Sequence, residues 1–188
     1  MKKEILQIIN EYLKMFPEET DRQIKLIKFL KENEENNIKD LNNFKGHIVA
    51  GGFVYAKKER KFLVLYHKDL KMFLYPGGHI DNNDINILET AKREVIEETG
   101  FNNLKQINLC NNELVPLDID THLVTYNDRL KLPEHFHYEF RYLFEIDKIQ
   151  EPIIDKEELE KFKWIDIEEL KEDKNYGVIA NKIEKIDL

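Results

Sequence analysis

The stretch GGHIDNNDINILETAKREVIEETGF, Gly77 to Phe101, constrains the rest of the chain more than any other. Asn86, followed three residues later by Glu89, forms a capping pair, and Gly100 stands where a left-handed C-terminal cap is usual. The spacing therefore predicts a helix over 87–99. Leu88, Ala91 and Val95 share its buried stripe, while Glu94, Glu97 and Glu98, at i, i+3 and i+4, put three carboxylates on one face. Two such charges about 4 Å apart repel by roughly 4 kcal/mol at an effective dielectric of about 20. They must splay into water, take up protons or share a cation. Arg93, four residues before Glu97, can hold one carboxylate, which leaves the others free to bind a hard divalent ion through oxygen.

An isolated E-x-x-E-E is more often a solvated helix face than a site. The longer string changes that reading, because it resembles the box of the Nudix hydrolases, Gly-x5-Glu-x7-Arg-Glu-U-x-Glu-Glu-x-Gly-U with U apolar. Gly78, Arg93, Glu94, Val95, Glu97, Glu98, Gly100 and Phe101 match it. The span from Gly78 to Arg93 is one residue longer than the pattern, and the first Glu of the box is represented only by Asp84. A loop insertion costs little, so the metal face is expected to survive it. The resemblance covers roughly residues 45 to 170. It implies an α/β fold, an α/β/α sandwich with a mixed sheet, and hydrolysis of a nucleoside diphosphate linked to another moiety. It also implies Mg²⁺ or Mn²⁺ held by Glu94, Glu97, Glu98 and the carbonyl of Gly77.

Upstream of the box, Ile5, Leu6, Ile9, Tyr12, Leu13 and Phe16 recur at helical spacing until Pro17 stops the run. A second helix is expected from Asp21 to about Glu34, followed by a linker from Glu35 to Asn43. We expect residues 1–43 to form a helical extension, through which the chain packs or forms a homodimer, with a substrate lid as the alternative, and residues 44–188 to form the hydrolase domain. Ile48 to Ala56 and Phe62 to Tyr66 read as a hairpin joined by the polar turn KKERK, and Phe73 and Leu74 lead to Pro76 and the glycines. Beyond the helix, strand-like runs are expected from about Lys105 to Pro116 and from Ile119 to Tyr126, joined through Leu117 and Asp118. A polar loop, Asn127 to Glu134, intervenes before the next run.

HFHYEFRYLFEI, His135 to Ile146, is the clearest strand. Phe136, Tyr138, Phe140, Tyr142, Phe144 and Ile146 fall on one face, and His137, Glu139, Arg141, Leu143 and Glu145 on the other. The first face wants a hydrophobic layer, the second water, metal or substrate. Three metal-bound glutamates make poor general bases, so a proton acceptor is expected outside the box helix, with Glu145 first and Glu139 second. Among the six histidines, His135 and His137 alternate on one strand and His122 lies in the neighbouring run, but no Cys accompanies them. They read as a hydrogen-bonding set around a pocket rather than as a zinc site. His67, His79, His137 and Arg141 are candidate substrate contacts. Phe162, Trp164 and Ile165 suggest a last strand, and Val178, Ile179, Ile183 and Ile186 a closing helix.

The net charge of −8, without a basic patch interleaved with aromatics, argues against nucleic acid and leaves a small-molecule nucleotide as the partner. A single Cys excludes an internal disulfide and fits a reducing compartment; with no membrane span or signal peptide, the expected location is cytoplasmic. A non-catalytic nucleotide sensor on the same fold is the alternative function. The intact REVIEE string argues against it, since a sensor needs no complete metal face.

Overall fold

A computed structural model describes residues 1–126 and 131–186. Two helices, α1 (Lys2–Met15) and α2 (Thr20–Glu32), are separated by one 3-10 turn at Pro17–Glu19. The strands are β1 (His47–Ala56), β2 (Lys61–His67), β3 (Met72–Leu74), β4 (Gly77–His79), β5 (Lys105–Gln106), β6 (Asp118–Val124), β7 (His135–Ile146) and β8 (Leu159–Ile165). The helix α3 (Ile87–Thr99) lies between β4 and β5, and the short α4 (Ile167–Glu172) and α5 (Gly177–Ile183) close the chain.

The strands make one mixed sheet. The long β1 and β7 run parallel at its centre from His47↔His137 to Ala56↔Ile146, and antiparallel strands flank them. β4 pairs with the first half of β1 and β2 with its end, while β6 and β5 pair with the first and last parts of β7. β3 and β8 complete the sheet on either side of β2.

The alternation along β7 sorts the side chains into two faces as expected, but the second face, expected to meet water, metal or substrate, buries Arg141 and Leu143. Tyr138, Phe140, Tyr142, Phe144 and Ile146 join Leu88, Ala91 and Val95 of α3 in one buried cluster, while Leu143 faces Ile179 and Ile183 of α5 in the other. The result is the α/β/α sandwich.

The first cluster also contains Ile5, Ile8, Ile9 and Tyr12 of α1 and Leu26, Phe29 and Leu30 of α2, so both N-terminal helices lie on the same side of the sheet as α3. The segment after α2 is more than a surface linker. Ile38 is fully buried, and its carbonyl accepts from the N–H of Ile48 at 2.7 Å, which ties the segment to the start of β1.

Two expectations need correction. The run expected from Lys105 to Pro116 is strand only at Lys105–Gln106, because Asn112 folds the backbone into a turn: its Oδ1 accepts from Leu114 N at 3.1 Å and its carbonyl from Val115 N at 3.1 Å. Asp118, expected in the connection, is the first residue of β6 and is fully buried. Of the loop expected from Asn127 to Glu134, residues 127–130 lie outside the described residues.

Candidate active site

α3 begins and ends as its caps dictate: Asn86 Oδ1 accepts from Glu89 N at 2.9 Å, and Gly100 takes φ 73°. The helix comes close to the sheet because Gly52 of β1 has no side chain. A Cβ there would lie 2.4 Å from the Phe144 ring and 3.0 Å from Val95 Cγ2. This brings the acidic face of α3 onto the backbone of β4. The N–H of Gly77 points to Glu98 Oε1 at 3.4 Å, and a Cβ on Gly78 would lie 2.7 Å from the carboxylate of Glu94. The two glycines therefore form a platform on which the carboxylates rest.

Arg93 clamps the whole arrangement. Its Nε and Nη2 donate to the two oxygens of Asp84 at 3.1 and 3.0 Å, its Nη1 to Glu94 and Glu97 at 2.9 Å each, and its Nη2 to the His79 carbonyl at 2.7 Å. Such a bidentate, charge-assisted pair holds geometry as well as charge. Asp84 accepts in addition from Thr90 Oγ1 at 2.9 Å and Asp81 N at 2.8 Å, so the longer loop is tied down by the acid that stands in for glutamate. Burial alone would raise the Asp84 pKa; the hydrogen bonds from Arg93, Asp81 and Thr90 hold it below the ordinary carboxylate value.

The carboxylates on the platform shift the other way. Burial outweighs Arg93 and raises Glu94. Burial also pushes Glu98 up to about 8, with Glu94, Glu158 and Glu97 adding and only the Gly77 N–H opposing. Glu97 is exposed and held by Arg93. Two acidic groups that resist ionising side by side offer oxygen donors of the kind a hard divalent cation takes, and in their chemistry the residues present fit one.

The remaining candidates separate. Glu145 lies near the end of β7, in ion pairs with Lys57 at 3.3 Å and Lys105 at 3.4 Å. Glu139 pairs with Arg141 at 3.0 Å. Arg141 is buried, giving Nε to the Tyr75 hydroxyl at 2.7 Å and its fork to Asp118 and Asp120 at 3.2 and 2.9 Å. His67 accepts from the N–H groups of Asp69 and Leu70 in the turn after β2. Sequence reasoning passed over Glu158, which acts on Glu98 from the loop before β8. It stands in the acidic run Asp155 to Glu160, where nothing in the pattern sets it apart.

His79 and His137 meet His47, which the sequence reading did not single out. The Nε2 atoms of His79 and His137 each lie 3.1 Å from His47 Nε2, and His135 Nε2 lies 3.2 Å from that of His137. Burial, followed by the neighbouring imidazoles, lowers His47 to about 3 and His137 to about 2, so both rings are neutral at physiological pH. His122 instead turns to Asp120, with Nδ1 3.1 Å from its carboxylate.

Comparison with known proteins gives this geometry a family. The profile of the NUDIX domain matches residues 45–184. A Lactococcus lactis subsp. cremoris protein named "probable DHNTP pyrophosphohydrolase" is 29% identical over 128 residues, 68% of this chain and 72% of that protein. Among solved structures, the Escherichia coli dihydroneopterin triphosphate pyrophosphohydrolase is similar with a TM-score of 0.55 at 16% identity, over 74% of this chain and 93% of that one. A NUDIX-family hydrolase from Clostridium perfringens is similar with a TM-score of 0.53 at 24% identity, over 74% and 97%. With the profile spanning most of the sequence and the box carboxylates seated on the Gly77–Gly78 platform, the chain belongs to the NUDIX domain family and is a Nudix-type hydrolase.

Proposed function

We propose that the chain hydrolyses a phosphoanhydride bond in a nucleoside diphosphate linked to another moiety, with Mg²⁺ or Mn²⁺ held by Glu94, Glu97, Glu98 and the carbonyl of Gly77. The observation that carries this reading is the pressing of Glu94 and Glu98 onto Gly77 and Gly78, where both acids resist ionisation. A polyphosphate repels an incoming nucleophile, and a divalent ion neutralises that charge and favours the deprotonated form of water. The chain's own part is positional. Arg93 fixes Glu94 and Glu97 so that their oxygens need not reorganise, and Gly78, with no side chain, lets the Glu94 carboxylate lie against its backbone. Water adds across P–O–P: its oxygen ends on one phosphorus, the bond to the leaving phosphate breaks, and the proton passes to a carboxylate outside the platform. Glu145 and Glu139 are the acceptors expected from sequence; Glu158, an exposed carboxylate whose charge acts on Glu98, is added as a third.

The names of two similar proteins, a probable DHNTP pyrophosphohydrolase and a dihydroneopterin triphosphate pyrophosphohydrolase, support placing dihydroneopterin triphosphate first among the substrates to be tried. ADP-ribose, a nucleotide sugar, a dinucleoside polyphosphate and a nucleoside triphosphate complete the panel. Turnover of one of these with Mg²⁺ or Mn²⁺, abolished by excess EDTA and restored by the ion, is the expected result. Full turnover in EDTA overturns the metal-dependent reading. Tight nucleotide binding without turnover by any metal points to the sensor.

A further inference from the structure

Histidines from three strands converge beside the box. His47 opens β1, His79 closes β4, and His135 and His137 lie at the start of β7. The ladders enforce this meeting, because His47 is opposite His137 and Val49, two residues on, is opposite both Glu139 and His79. Their ring nitrogens are 3.1 to 3.2 Å apart along the series His79, His47, His137, His135.

Hydrogen bonds alone do not account for these contacts. An imidazole Nε2 has a single in-plane valence, occupied by either a hydrogen or a lone pair. His47 Nε2 faces two nitrogens at 3.1 Å, and His137 Nε2 also faces two, so each can satisfy only one of its contacts. Lone pairs directed at one shared centre meet the geometry without that conflict. Zinc at about 2.0–2.1 Å from tetrahedral ligands sets nitrogen donors about 3.3 Å apart, close to the spacing observed. The ligand atoms of His47, His79 and His137 all lie within 4.8 Å of one another. His135 flanks the group from the side of His137. Its Nδ1 lies 2.7 Å from the Pro133 carbonyl and must hold the hydrogen, which leaves the Nε2 lone pair turned toward the cluster.

We propose that His47, His79 and His137 hold a divalent transition-metal ion of the zinc class, separate from the oxygen-lined site on α3. Imidazole donors and oxygen donors select different ions, so the two sites do not compete for one metal. The site is a brace. His79 gives its ring to the cluster and its carbonyl to Arg93 at 2.7 Å, so an ion that pins β4 to β1 and β7 also fixes the residue that holds Glu94 and Glu97. This holds whichever substrate the enzyme cleaves.

The test is zinc binding by the full chain made without a polyhistidine tag, measured by elemental analysis and by competition with a chromogenic chelator. About one equivalent per chain is expected, and Co²⁺ in its place should give the strong visible absorption of a tetrahedral site. His47→Gln and His137→Gln should each weaken zinc by more than the roughly 10–100-fold that a supporting residue costs, while Glu98→Gln retains it. A wild-type chain that takes up no zinc from a micromolar solution overturns the proposal. So does zinc that survives both histidine substitutions. The Co²⁺ spectrum of the wild-type chain separates nitrogen ligation from the oxygen-lined site, so a variant that fails to fold does not leave the question open.

Discussion

Glu98 is the residue whose chemistry is most altered by its surroundings. Burial pushes its pKa up to about 8, so between the ordinary carboxylate range and that value the metal-free folded state is expected to hold a proton that the unfolded state has lost. Stability of the metal-free chain should therefore fall as pH rises through this window. A divalent ion must displace the same proton. Its affinity should rise up to about tenfold per pH unit and level off above about pH 8, which Mn²⁺ titrations between about pH 6 and 9 would show. An affinity independent of pH would remove Glu98 from the ligand set. Glu98→Gln should lower kcat by at least about 10²-fold, the cost of one preorganised electrostatic group, without lowering the melting temperature of the metal-free protein, since a neutral amide replaces a poorly solvated acid. At Gly78, alanine would drive a methyl group into the Glu94 carboxylate, so Gly78→Ala is expected to weaken the metal more than it weakens the fold.

At the scale of elements, α3 depends on the loop before it as much as on its own caps. Asp84 supplies both of its oxygens to Arg93, so Asp84→Ala should cost about 1.5–3 kcal/mol, as expected for hydrogen bonds to a charged group. It should also weaken the metal, because Arg93 is then free to swing away from Glu94 and Glu97; calorimetric Mn²⁺ binding and thermal melts separate the two effects. The polar face of β7 raises a different question. Glu145 is held by two lysines and Glu139 by Arg141, whereas Glu158 is an exposed loop carboxylate within electrostatic reach of Glu98. Comparing Glu139→Gln, Glu145→Gln and Glu158→Gln at saturating Mg²⁺ identifies the base as the variant whose kcat falls and whose acid limb flattens while KM holds. Wild-type pH profiles in all three would place the base elsewhere.

At the scale of the whole molecule, a buried charge network joins the ends of the chain. Asp118 has no solvent exposure and meets Lys182 of α5 at 2.6 Å, Arg141 of β7 at 3.2 Å and Arg22 of α2 at 3.3 Å. Tyr12 of α1 hydrogen-bonds Glu19 in the same cluster, and Glu19 pairs with Lys182 at 2.8 Å. Removing one partner from such a network leaves a desolvated charge, so Asp118→Ala should destabilise by about 3–5 kcal/mol in denaturant melts. Deletion of residues 1–43 removes the apolar residues of both N-terminal helices from the cluster that holds α3, and takes Arg22, Glu19 and Tyr12 from the network. The truncated chain is expected to be aggregated or molten by near-ultraviolet dichroism, with activity lost along with structure. A soluble truncation with native melting and full turnover would show that these helices are dispensable.

Sequence alone determined the features written in short-range periodicity and caps. The bounds of α3 follow from Asn86, Glu89 and Gly100, and the two faces of β7 from strict alternation; the box carboxylates share a face because residues three and four apart on a helix must do so. The turn at Asn112 was harder to read, since one side chain bonding to nearby backbone ended what composition presented as a strand. The meeting of His47 with His79 and His137 was decided only by the tertiary structure, as was the joining of Asp118 to Lys182. Those contacts depend on strand order and register, which bring together residues far apart in the chain, and no local pattern carries that information.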